Sequence, residues 1–153
     1  MGKAINRIGI DYVGISVVFL CHDGKGSILL HKRSNQCRDE RGKWDCGGGQ
    51  LEFGENLETG VLRDVREEYC CDGAINEQLP AYSIVRTVKK TKTHWIAIPF
   101  IIKVNPKQVA IGDPEKIERI HWFQWNHLPK PLHIGFQREI ILFQNHMTPF
   151  TNS

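Results

Sequence analysis

Between Gly47 and Gly73 the chain reads GGGQLEFGENLETGVLRDVREEYCCDG, and this stretch restricts the fold more than any other. It opens with three consecutive glycines and has a fourth at Gly54. Leu57, Val61, Val65 and Tyr69 then recur at i, i+4 spacing, the mark of an amphipathic helix. With Leu62 they occupy one arc of that helix, about 140° wide at roughly 100° per residue. Asp64, Glu67 and Glu68 are related as i, i+3 and i+4 and so share a second face that borders the apolar one. Like charges at this spacing repel, and acids near the end of a helix gain nothing from its dipole. A cation bridging the carboxylates removes both penalties. A hard ion such as Mg²⁺ suits them, because it binds through one or two carboxylates, waters and substrate phosphates. The bland alternative is a solvated helix face. Against it stand the apolar side the acids adjoin and the glycines before the helix, read as a loop whose amides and carbonyls can approach an ion or phosphate closely.

The same residues resemble the Nudix box, G-x5-E-x7-R-E-U-x-E-E-x-G-U, in which U is a bulky aliphatic residue. Gly49 opens it, Glu55 and Arg63 fall in register, and Asp64, Val65, Glu67 and Glu68 follow. Trp44, the strand LLHKRS and the segment WFQWNHLP are also similar to small Nudix hydrolases. Three positions depart from the box. Asp64 replaces a Glu and is one methylene shorter, Cys70 replaces the final glycine, and Cys71 takes the aliphatic place. Ahead of the glycines, Asp45 and Cys46 replace an apolar-Pro pair, and Gly73 is the expected helix terminator.

The resemblance implies an α/β fold, the Nudix α/β/α sandwich around a mixed β-sheet, formed by residues 1–153 as a single domain. It implies hydrolysis of a diphosphate linkage in a nucleoside diphosphate joined to another moiety. Nucleoside triphosphates, ADP-ribose, other nucleotide sugars and dinucleoside polyphosphates all stay open as substrates. Glu67 and Glu68 would hold Mg²⁺, with Mn²⁺ as a substitute, aided by a carbonyl of Gly48 or Gly49. Asp64 would be a further ligand or the base, and a loop acid, Asp113 or Glu115, competes for that task. Arg33, at the end of a strand, would lie near substrate phosphates. Arg63 and Glu55 have mainly structural parts, with Arg63 pairing to a box carboxylate.

Composition sets the remaining bounds. Hydrophobic residues make up 41% and charged residues 24% of the 153, ordinary for one globular domain with a real core. A net charge of +3 suits an anionic small substrate and gives no ground for nucleic-acid binding. No apolar run is long enough to span a membrane, and MGKAINRIGIDY has neither a signal-peptide core nor the Ser or Thr of a myristoylation site. Five cysteines without a C-x-x-C pair read as reduced thiols of a cytoplasmic protein, and a homodimer is compatible with the size.

Along the chain, YVGISVVFL (12–20) and SILLHKR (27–33) predict a hairpin around HDGKG, followed by a polar loop over 34–43. DGAINEQLP reads as a loop, and YSIVRTV and HWIAIPFIIKV as two strands joined at KKTKT, either a charged hairpin tip or a phosphate-facing rim. Pro99 predicts an edge position or a bulge for the second of these, and Trp95 reads as core in preference to part of a base-stacking pocket. HWFQW (121–125) is the last strand, GFQREIILFQNH (135–146) a closing helix with Phe136, Ile140 and Phe143 on one side, and TPFTNS a frayed tail. Two rivals remain. A nucleotide-sensing module on the same fold would lose box acids. An isomerase acting on a prenyl diphosphate would call for a catalytic cysteine, for which Cys46 is the one candidate.

Overall fold

The computed structural model describes residues 6–151, with side chains as far as Met147. Eight strands and two helices follow in the order β1 (Gly14–His22), β2 (Ser27–Arg33), β3 (Trp44–Asp45), β4 (Gly47–Gln50), α1 (Leu57–Tyr69), β5 (Gly73–Gln78), β6 (Tyr82–Val88), β7 (Thr91–Val104), β8 (Ile117–Gln124) and α2 (Ile134–Thr151). The strands form one mixed sheet whose spine is the parallel pair β1–β7, in register from Gly14↔Trp95 to His22↔Lys103. The other edge of β1 is shared. Its first half pairs with β4, and its end closes a hairpin with β2, which in turn carries β3 and β8.

Alternation along the strands sends side chains to two cores. Val17, Phe19 and Cys21 of β1, Leu29 of β2 and Phe100 and Ile102 of β7 pack against Val61, Val65 and Tyr69 of α1. Leu20, Ile28, Leu30 and Ile101 pack on the opposite face against Phe136, Phe143 and Met147 of α2. The result is the expected helix–sheet–helix sandwich. Helix α1 starts where Asn56 accepts the Thr59 N–H at 2.8 Å, a local N-cap.

Several expectations are corrected. The helix ends at Cys70, left-handed at φ 56° with its N–H on the Arg66 carbonyl, whereas Gly73 begins β5. GAINEQ is therefore a strand, pairing with the second half of β7. Pro99 lies neither at an edge nor at a bulge. The Pro99 carbonyl accepts from Leu79, and a strand residue's N and C=O point the same way. Its missing N–H therefore faces the gap where β6 stops at Ala97 and β5 takes over at Phe100. The last strand begins at Ile117, four residues ahead of the expected start, and α2 continues through Thr151 into the tail. Met1–Ile5, Asn152 and Ser153 lie outside the described residues.

Glycines 47–49 form a strand instead of a loop. A Cβ on Gly47 would overlap the ring of Phe19, its cross-strand partner. Absence of a side chain is needed here for close approach, not for backbone conformation. All five cysteines are free, with Cys70 alone exposed. Among the described residues no helix is long and apolar enough to cross a membrane.

Candidate active site

Strand β4 lies beside β1 in the sheet and beneath α1, so the helix carboxylates meet its glycines directly. A Cβ on Gly49 would sit 2.5 Å from Asp64 Oδ2. Arg63 Nη1 donates to Asp64 Oδ1 at 2.9 Å, and Oδ2 is buried without a partner. Burial pushes the Asp64 carboxyl up to about 6, against the pull of Arg63. Glu68, one turn on, is half-buried. The Gly48 N–H donates to its carboxyl, Oε2 is buried without a partner, and burial, with the charges of Asp64 and Asp45, raises its pKa well above the usual range.

Arg63 organises this corner. It grips Glu55 through two bonds, Nη2–Oε1 at 2.6 Å and Nε–Oε2 at 3.0 Å, and donates to the Gln50 carbonyl. The fork holds Glu55 down at about 2. Its Nη1 also reaches Glu67 Oε2 at 3.2 Å, and Glu67 is mostly exposed.

A cavity of about 660 Å³ opens beside β4. Glu68, Gly48 and Gly49 line it, as do Arg33 and Asp113. Asp64, Glu67 and Glu115 do not reach its wall: Asp64 lies behind Gly49, and Glu115 contributes a backbone carbonyl to the Ser34 hydroxyl. Asp113 is placed by the loop after β7, whose Ala110 and Gly112 N–H groups cap the Tyr69 and Glu68 carbonyls at the end of α1. Arg33 is held by Asp39 at 3.1 Å and faces Asp45 at 3.8 Å.

The far end of the cavity is polar in a way the sequence did not announce. Trp44 bonds to the 131–133 segment through its N–H and C=O, which brings His133 to 3.9 Å from Asp45. Burial and the charge of Glu139 lift Asp45 to about 8, and burial with Arg33 nearby lowers His133 to about 4. Glu139 of α2 accepts from the Tyr82 hydroxyl at 2.6 Å and from the Cys46 thiol at 3.4 Å. Ile84, Arg86 and Trp95 complete the wall. Trp95 is thus only partly buried and lies over Gly9 and Gly14, not in the core. Lys89, Lys90 and Lys92 stay off the cavity, and Lys89 and Lys90 form the turn of the β6–β7 hairpin. One signal for Glu139 was present in the sequence: an acid three residues after Phe136 and four before Phe143, inside the apolar stripe of α2.

Do these residues fit a metal ion? Among the described residues no three His, Cys, Asp or Glu side chains are assembled as a metal cluster. Yet Glu68 and Asp64 each keep a buried oxygen with no partner, and a buried unpaired carboxylate oxygen is what a hard cation satisfies. Those two fit; Glu67, turned to Arg63, lies farther out.

A helix that backs carboxylates onto a glycine strand, at the centre of a helix–sheet–helix sandwich, defines the Nudix fold. A profile of the NUDIX domain matches residues 13–143, and the chain belongs to the Nudix hydrolase family. It is 32% identical over 115 residues to an ADP-ribose pyrophosphatase of Methanocaldococcus jannaschii, covering 75% of this chain and 63% of that one. To an RNA pyrophosphohydrolase of Gluconacetobacter diazotrophicus it is 26% identical, over 77% of this chain and 80% of the other. Its fold matches a crystal structure of a MutT NUDIX hydrolase from Burkholderia pseudomallei with a TM-score of 0.74 at 22% identity, over 85% and 97% of the two chains.

Proposed function

We propose that this protein is a metal-dependent hydrolase of the phosphoric anhydride bond in a nucleoside diphosphate linked to another moiety: a nucleoside triphosphate, ADP-ribose or a nucleotide sugar. The observation that carries the reading is Glu68. It lies half-buried beside the Gly48 amide, its Oε2 is buried without a partner, and it lines the cavity. The names of the two curated relatives, both pyrophosphate-bond hydrolases, support the same reaction class.

In this reading Glu68 and Asp64 hold Mg²⁺, or Mn²⁺ in its place, with a carbonyl of Gly48 or Gly49 and with Glu67 at the outer edge. The ion supplies charge neutralisation at the diphosphate and a water of lowered pKa. Arg33 binds a phosphate oxygen, since it enters the cavity as a cation fixed by Asp39. Asp64, shielded behind Gly49 with Arg63 on one oxygen, is better placed to hold than to shuttle a proton. Asp113 reaches the cavity and Glu115 does not, so Asp113 is the loop acid we assign as base. Residues 1–153 act as one domain on a small-molecule substrate, and the free cysteines suit the cytoplasm.

The test is a panel of nucleotide diphosphate derivatives incubated with Mg²⁺ or Mn²⁺, with the products identified. Release of a nucleoside monophosphate or of pyrophosphate from at least one compound supports the reading. Nucleotide retained in calorimetry with no product released overturns it and makes the protein a nucleotide-sensing module.

A further inference from the structure

His31 and Arg33 are successive residues on one face of β2, and both line the cavity. Behind His31 lies the last residue of α1. The Tyr69 hydroxyl and His31 Nδ1 are 2.7 Å apart, with the rings edge to face at 5.9 Å. Both side chains are buried, Tyr69 completely and His31 to 6% exposure.

The direction of this hydrogen bond follows from what each arrangement would strand. If Nδ1–H donated to Tyr69, the phenol proton would be left in the core with no acceptor. If the phenol donates to Nδ1, only spare lone pairs go unused. An unpaired buried donor costs about 1–3 kcal/mol, whereas an unused lone pair on a satisfied oxygen costs much less. Tyr69 therefore donates, and the proton of the neutral imidazole resides on Nε2, the ring nitrogen left for the cavity. Burial and the charge of Arg33 hold the His31 pKa down at about 3.

We propose that His31 donates a hydrogen bond from neutral Nε2–H to a phosphoryl oxygen of the bound diphosphate, and that Tyr69 is the positioning residue that fixes this tautomer. The proposal rests on the hydrolase reading and adds to it. His31 lines the same cavity as Arg33 and Glu68, the residues the hydrolase reading assigns to phosphate and metal, so its remaining ring nitrogen is available to a diphosphate bound there. A neutral donor there contributes directionality without competing with a cation for the Glu68 carboxylate.

The tautomer is measured without substrate, by ¹⁵N NMR of histidine-labelled enzyme at neutral pH. Nε2 should appear as the protonated nitrogen and Nδ1 as the acceptor, and Tyr69→Phe should convert the signal to a tautomeric mixture. In kinetics, His31→Gln keeps an N–H at a similar reach and should lose less than about tenfold in kcat/KM. The double variant His31→Leu/Tyr69→Phe removes both buried polar groups together and should lose about a hundredfold, the usual size for one such donor. If the pair is merely structural, the double variant keeps wild-type kcat/KM, and that result overturns the proposal alone. So does an Nδ1–H tautomer in the wild type. A wild-type enzyme that cleaves nothing in the nucleotide panel overturns the hydrolase reading, and the proposal falls with it.

Discussion

Gly49 and Asp64 touch across the interface between β4 and α1 so closely that a methyl group on the glycine would lie 2.5 Å from the carboxylate oxygen. That oxygen has no hydrogen-bond partner and the other is tied to Arg63. The side chain of Asp is short, so little slack exists to absorb an intruding methyl group. Gly49→Ala is expected to push Asp64 out of line, costing about 1–3 kcal/mol of stability and at least about tenfold in turnover. Urea unfolding and steady-state kinetics on the same preparation check both numbers.

Arg63 holds Glu55, Asp64 and Glu67 at once, and its contact with Glu55 is bidentate. Lysine keeps the charge and loses the fork. In Arg63→Lys the Glu55 carboxyl should return from about 2 toward its ordinary value of 4.5, read by ¹³C NMR titration of the labelled side chain. Turnover should fall with it. An unmoved Glu55 would show that the fork is not what depresses it.

How much of this was readable beforehand divides along sequence distance. The period of Leu57, Val61, Val65 and Tyr69 marks α1, and the β-branched run of β1 followed by the HDGKG turn marks β1 and β2, because those signals are local. Glycines 47–49 carry no strand signal of their own, because their strand is dictated by Phe19 and Asp64, partners found only after folding. GAINEQ reads as a loop in the sequence because it is polar on its outer side and closes on β7, far along the chain. Glu68, Gly48, Gly49, Arg33 and Asp113 were singled out in the sequence, and all line the cavity. His31, His133, Tyr82 and Glu139 were not, since each draws its meaning from a partner dozens of residues away.

Asp45 makes stability depend on pH in an unusual direction. Its folded pKa, about 8, lies above the unfolded 3.8, so between these values the native state holds the extra proton. The unfolding free energy contributed by this group is full below 3.8 and is lost as pH rises through 8. Asp45→Asn cannot ionise, so its stability relative to wild type should climb steadily from pH 5 to pH 8 in urea unfolding. Parallel curves would refute the shift.

The hairpin between β6 and β7 turns at Lys89 and Lys90, with φ of 47° and 66°. Two-residue turns with both φ positive favour Asn-Gly. Replacing the pair, Lys89→Asn/Lys90→Gly, should raise stability by about 0.5–1 kcal/mol. Because neither lysine lines the cavity, kcat/KM should not change. A fall in kcat/KM would place the lysines at the substrate after all.

The most direct measurement is Mn²⁺ binding followed by electron paramagnetic resonance, in wild type and in Glu68→Gln. The amide preserves size while removing the charge of the carboxyl whose Oε2 has no partner. Wild type should bind Mn²⁺, and the variant should bind at least about tenfold more weakly, with turnover abolished. Equal binding by both proteins would contradict the assignment of Glu68 as the residue that holds the metal.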